Sequence, residues 1–163
     1  MEVKVLVIDD SAFMRRAIAI SEKALHSGQG GPFGALIVKD DQIIAEGQNR
    51  VTSANDPTAH AEIVAIREAC RVLNEFRLHG CEIYTSCEPC PMCLSAIYWA
   101  RVERIYYANT RQDAADIGFD DEFLYREIPI APADRAIPAR QLLAHEARSA
   151  FDNWQHKVDK RQY

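Results

Sequence analysis

Two short runs in this chain hold residues able to gather a metal ion and to move protons. His60-Ala61-Glu62 supplies an imidazole and a carboxylate, and Pro89-Cys90-Pro91-Met92-Cys93 supplies two thiols. Neutral imidazole and thiolate are ordinary zinc ligands. Three residues apart in a first helical turn, Cys90 and Cys93 can both reach one ion. The unpaired N–H groups of a helix end favour their thiolate forms. Pro89 keeps Glu88 extended, and Pro91 gives up no needed donor in the first turn. With His60 as third ligand, one tetrahedral position stays open to water, the mark of a catalytic rather than a structural zinc site. Glu62, two residues on, would point away from His60 in mid-helix. In a first turn the two side chains converge beyond the helix end, and Glu62 can then shuttle protons without binding the metal.

Two other readings of the cysteines stand beside this one. Cys87 could act as a fourth ligand and close a structural Cys3His site, although it precedes the Glu-Pro break and belongs to a strand end. Cys90 and Cys93 could instead form a redox pair, which leaves His60 and Glu62 without a task.

The elements that must position these groups follow from pattern and punctuation. Ser11 or Asp10 can cap a helix over about 12–27, with Phe13, Met14, Ala17, Ile18 and Leu25 available for its buried face. The run 28–32 (Gly-Gln-Gly-Gly-Pro) breaks the chain. Strands are expected at 35–38 and 43–47, joined by the tight turn Lys39-Asp40-Asp41-Gln42, with a polar loop at 49–55. Asp56-Pro57 reads as a helix start, running to about Leu73. A strand at 82–86, a helix at 91–100 and a strand at 104–108 come next. Helices at 113–117 and 121–127, a connector with Pro129, Pro132 and Pro138, a last strand at 141–144 and a last helix at 148–158 complete the chain. Helices alternating with strands imply an α/β layer sandwich.

The 163 residues suit a single domain able to bury a core without disulfides. Five cysteines, three of them within seven residues, do not read as a secreted disulfide framework. The apolar run 5–8 is too short for a membrane span or a signal-peptide core, so a cytoplasmic protein is expected. A net charge of −5 argues against a general nucleic-acid binder. Over 113–127 six acids (Asp113, Asp116, Asp120, Asp121, Glu122, Glu127) face one base, Arg126, and would repel phosphate.

The two chemical runs together match the zinc-deaminase signature of H-x-E followed by P-C-x-x-C. The chain resembles the cytidine deaminase-like zinc hydrolases and, within them, the bacterial guanine deaminases. The likeness runs from about Phe13 to Tyr163. It is carried by Gly31-Pro32-Phe33-Gly34-Ala35, by Asn55-Asp56-Pro57-Thr58-Ala59-His60-Ala61-Glu62 and by Tyr84-Thr85-Ser86-Cys87-Glu88-Pro89-Cys90-Pro91-Met92-Cys93. Ala96-Ile97-Tyr98-Trp99-Ala100-Arg101 adds to it, and Gly118-Phe119-Asp120-Asp121 and the terminal Tyr163 are its narrower markers.

The resemblance implies a three-layer α/β/α sandwich around a central five-stranded mixed sheet. It implies a homodimer whose C-terminal segments, within 129–163, are exchanged. It also implies one Zn2+ per subunit on His60, Cys90 and Cys93, and hydrolytic deamination of guanine to xanthine and ammonia. Glu62 would take a proton from water at the metal and return protons to the ring nitrogen and the leaving amine. Asn49 would hydrogen-bond the purine edge, Phe33 and Trp99 would wall the ring, Asp121 would read ring N–H groups, and the Ala61 N–H would polarise the base. Tyr163 would reach into the partner's site.

The same chemistry on guanosine, an aminotriazine or adenosine in tRNA is the nearest rival, and a non-catalytic zinc module is the rival of another class. Retention of Glu62 speaks against the latter. Residues 3–15 depart from the pattern and are similar to the first strand and turn of response-regulator receiver domains. No room follows for a phosphoacceptor strand, so residues 1–11 read as an atypical N-terminal extension.

Overall fold

The computed structural model of the chain describes residues 10–163. The receiver-like run expected over 3–15 therefore lies largely outside the described residues. The chain divides into two compact units, the first ending at Asp121 and the second spanning Glu122–Tyr163.

In the first unit, α1 (Asp10–Ser27) leads to β1 (Gly34–Lys39) and β2 (Gln42–Gln48), then to a short α2 (Val51–Ala54) and to α3 (Ala61–Leu73). β3 (Cys81–Cys87), α4 (Pro91–Trp99), β4 (Arg104–Asn109) and α5 (Arg111–Asp116) follow. The sheet order is β2-β1-β3-β4. β1 is antiparallel to both β2 and β3, whereas β3 and β4 are parallel across the α4 crossover. The β1–β2 turn places Asp40 and Asp41 at φ 49° and 57°, the pair of left-handed residues that a tight hairpin needs.

Alternation along β1 sorts its side chains onto two faces. Leu36 and Val38 join Tyr84 under Phe13, Ala17 and Ile20 of α1. Ala35 and Ile37 join Ala45 and Ile83 under Ala61, Ala65, Ile66 and Ala69 of α3, with Ile97 of α4. Helices thus cover both faces, in three layers. The start of α1 is tied to the sheet by the Tyr84 hydroxyl, which donates to Asp10 Oδ1 (2.7 Å) and Glu82 Oε2 (3.3 Å). Small residues let β2 and α3 approach closely: a Cβ on Gly47 would stand 2.1 Å from the Ala61 carbonyl oxygen.

Three expectations change. The sheet has four strands among the described residues, not five, because the segment expected to form a strand at 141–144 does not pair. Leu143 there takes a left-handed φ of 52° as the N-cap of a helix. The helix expected from Asp56-Pro57 begins five residues later, at Ala61. Asp56 Oδ1 accepts the Thr58 N–H (2.8 Å) and hydroxyl (2.7 Å), so the Asp-Pro signal makes a side-chain-closed turn instead. The polar loop at 49–55 contains the one-turn helix α2.

The second unit holds α6 (Glu122–Glu127), a 3-10 turn at Pro132–Asp134 and α7 (Ala144–His156). None of these elements has a buried residue, and Phe151 and Leu142 are 79% and 68% exposed. Among the described residues, no helix is long and apolar enough to cross a membrane.

Candidate metal centre and base-binding cavity

Two helix starts meet at one point. His60 is the N-cap of α3, at φ −66° and ψ 158°, and Cys90 is the N-cap of α4, at φ −63° and ψ 167°. Neither side chain caps its own helix. The His60 Nδ1 instead stands 3.6 Å from Cys90 Sγ and 3.5 Å from Cys93 Sγ. The metal-binding atoms of all three residues lie within 4.8 Å of one another.

These spacings test the fit for zinc. Bonds of about 2.1 Å to nitrogen and 2.3 Å to sulfur at a tetrahedral angle put N and S about 3.6 Å apart. The observed separations match that edge. The donor set, one imidazole and two sulfurs, suits Zn2+ as well. Cys87 does not join it: its thiol donates to the Thr110 carbonyl (3.6 Å) and ties the end of β3 to the start of α5. The cluster thus leaves a fourth tetrahedral corner to be filled from solvent or substrate.

The electrostatics of the protein groups agree with a metal-binding role. The hydrogen bond from Cys93, with the one to His60, brings Cys90 down to about 4, against the cost of its burial. Cys93 is pushed up by that same contact and by burial, so the two sulfurs share one proton. His60 is raised, first by its contact with Cys90. A cation drawn to such a pair displaces the remaining protons.

Glu62 lies one residue beyond Ala61 in the first turn of α3, buried to 6% exposure beside the cluster. Burial pushes its carboxyl up to about 6, with its own N–H pulling the other way. A carboxyl poised near neutrality can both take and give a proton.

A cavity of about 560 Å3 opens over these groups. Phe33, Asn49, His60, Glu62, Cys90 and Asp121 all line it. Asn49 is buried, and its Oδ1 accepts the N–H groups of Gly31 (3.3 Å) and Val51 (3.1 Å). Its carbonyl therefore holds the loop, and its Nδ2 is the group left to donate to a ligand. Burial holds the Asp121 carboxyl above the usual range. Ala61, fully buried, sits in the first turn of α3, where backbone N–H groups have no helical acceptor.

The remaining expected residues stand elsewhere. Trp99 does not line this cavity: it is 60% exposed at the end of α4, beside Tyr98 and Arg101. It follows the buried Ile97 by two residues, which turns it to the opposite side of the helix. Tyr163 ends the second unit. Glu88, Arg111 and Phe119, given no site role from the sequence, are among the other residues that line the cavity. The Glu88 carboxylate accepts the Arg111 N–H (3.1 Å), and its own N–H donates to Asn109 (2.8 Å), joining the Cys90 turn to the start of α5. The aromatic Phe119, inside the Gly-Phe-Asp-Asp run, was the one visible signal.

Residues 7–109 match the zinc-binding region of cytidine and deoxycytidylate deaminases. The chain is 51% identical to the guanine deaminase of Bacillus subtilis, over 96% of this chain and 100% of that protein. The X-ray structure of a guanine deaminase from Bacillus subtilis superposes with a TM-score of 0.93 at 51% identity, covering 96% of this chain and 99% of that one. A guanine deaminase from Nitrosomonas europaea superposes with a TM-score of 0.66 at 33% identity, over 69% of this chain and 65% of that one. A tRNA-specific adenosine deaminase from Aquifex aeolicus is 44% identical over 59% of this chain and 63% of its own length.

Proposed function

The chain belongs to the cytidine and deoxycytidylate deaminase zinc-binding family, and from that premise we propose that it hydrolyses guanine to xanthine and ammonia. The observation that carries this reading is the buried Glu62 beside the His60, Cys90 and Cys93 cluster, under a cavity with aromatic walls.

His60, Cys90 and Cys93 would hold the zinc. When bound, it supplies the Lewis acidity that makes water a nucleophile near neutral pH. Glu62 takes the proton that water gives up as oxygen bonds to C2 of the base. It passes that proton to the neighbouring ring nitrogen, then takes the proton of the new C2 hydroxyl and delivers it to the exocyclic amine, so that the C2–N bond breaks and ammonia leaves as the C2 carbonyl forms. Glu62 suits this traffic because its burial balances the two protonation states. Asn49 Nδ2 donates to an acceptor on the purine edge, and the Asp121 carboxylate accepts ring N–H groups. The Ala61 N–H polarises the base, and Phe33 packs on it.

The functional unit in this reading is a cytoplasmic homodimer, formed by single 163-residue domains that exchange C-terminal segments. The bare apolar residues of the second unit, Phe151 and Leu142 among them, support that reading. Exchange brings Tyr163 to the site of a second copy, and Trp99 can wall a purine only there.

Ammonia release from guanine, guanosine, an aminotriazine, cytosine and adenine, each with and without chelator, tests the substrate. Guanine should be turned over, and chelator should stop it. Release from another base but not from guanine would move the assignment, and no release from any would favour a non-catalytic zinc module. The six acids of 113–127 count against a tRNA substrate.

A further inference from the structure

Phe119 is a large apolar side chain with 47% of its surface exposed, yet its backbone and ring are fixed from several sides. Helix α5 ends in a Schellman turn: Gly118 donates to Ala115 and Phe119 to Ala114, each at 2.9 Å. Gly118 takes φ 95°, a conformation that side-chain-bearing residues rarely adopt. The start of α5 is fixed as well. Thr110 and Asp113 form a reciprocal capping box, and the Arg111 N–H is bonded to Glu88, two residues from Cys90. Phe119 is thereby held in register with the metal-binding turn.

The ring itself stands edge to face with Phe33, at 4.9 Å between centroids and 88° between planes. Gly31 seats the pair. A Cβ there would lie 2.9 Å from the Phe33 ring and 3.0 Å from Phe119 Cζ, so a side chain would push the rings apart. Both rings line the cavity that holds Glu62 and His60. Phe33 covers one side of the Phe119 ring, and the part that stays exposed is an apolar surface that a flat ligand entering the cavity would cover.

Resting on the guanine reading, we infer that Phe119 is a base-binding residue. With Phe33 it forms an aromatic corner that packs against the purine ring, and the Gly118 turn sets where that corner stands. Aromatic side chains stacked against bases are worth about 1–3 kcal/mol when truncated, roughly 5- to 150-fold in affinity.

The test compares the zinc-loaded full chain with Phe119→Ala, Phe119→Leu, Phe119→Tyr and Gly118→Ala. Kinetics on guanine, xanthine binding by calorimetry, zinc content and melting temperature are measured for each. Phe119→Ala should raise KM and weaken xanthine binding by about tenfold, with kcat within about threefold and zinc retained. Phe119→Tyr should restore binding. Phe119→Leu, which keeps bulk without a ring face, should stay impaired, and Gly118→Ala should resemble it. Wild-type KM in Phe119→Ala or Phe119→Leu, or a kcat loss with KM unchanged, would overturn the inference. If Phe119→Ala does not fold, Phe119→Leu and Gly118→Ala decide the matter. A wild-type chain inert on guanine would overturn the guanine reading and this inference together. An active wild type with indifferent Phe119 variants would overturn this inference alone.

Discussion

Replacing Gly47 by alanine adds one methyl group at the contact between β2 and α3. That carbon would stand 2.1 Å from the Ala61 carbonyl oxygen, 2.6 Å from the Ala65 nitrogen and 3.1 Å from the Ala65 Cβ. An unstrained contact needs about 1 Å more room. Two of the three obstacles are backbone, so no rotamer change relieves the overlap, and the first turn of α3 must move away from the sheet. Overpacking of this kind costs about 1–3 kcal/mol. At about 2–4 °C per kcal/mol for a chain of this length, the melting temperature should drop by roughly 2–12 °C. The same shift carries His60 and Glu62, which flank Ala61. A misplacement of about 1 Å in reacting groups costs on the order of 100-fold in rate. Thermal melting, zinc content and ammonia release from guanine, run on Gly47→Ala and the wild type, measure all three consequences. Activity within about twofold of wild type and an unchanged melting temperature would refute the claim that this close approach sets the position of the α3 start.

Three further outcomes are expected. Glu62→Gln should bind zinc normally and lose about 100- to 10,000-fold in kcat, the usual worth of a general acid–base group; unchanged turnover would remove its proton-transfer role. Added zinc should raise the melting temperature of the stripped protein, by about 4 kcal/mol of stability at 1,000 times the dissociation constant, and Cys93→Ala should respond much less. Tyr84 should link stability to alkaline pH. Burial, followed by its bond to Asp10, holds its hydroxyl above the ordinary phenol value in the folded chain. The folded state therefore keeps a proton that the unfolded state releases, and the stabilisation present below about pH 10 fades as pH rises beyond it. Melting from pH 8 to 11 should show a steeper alkaline decline in wild type than in Tyr84→Phe, and parallel curves would count against it.

The metal-binding residues were legible in the sequence because few residue types bind zinc and their spacing is fixed by a helical turn. The layer order was legible for a similar reason, since β1 alternates between two buried faces and the hairpin turn needs its two aspartates. The α3 start was misread because Asp-Pro serves turns as well as helices, and Asp56 found its acceptor role in Thr58. That delay places His60 and Glu62 in the converging first turn that their chemistry requires. The strand expected at 141–144 rested on a short apolar run, and such a run cannot reveal the left-handed backbone of Leu143. Trp99 rested on the family resemblance, and its offset from the buried Ile97 turns it away from the cavity of its own chain. Phe119 went unassigned because nothing local distinguishes a cavity wall from a core residue; its place follows from Gly31 and Phe33, far away in the chain.

The division of the chain at Asp121 has an evolutionary consequence. Every residue of the metal cluster, and every residue lining the cavity above it, is encoded at or before that boundary. Inherited changes confined to residues 122–163 therefore spare the metal ligands and every wall of that cavity.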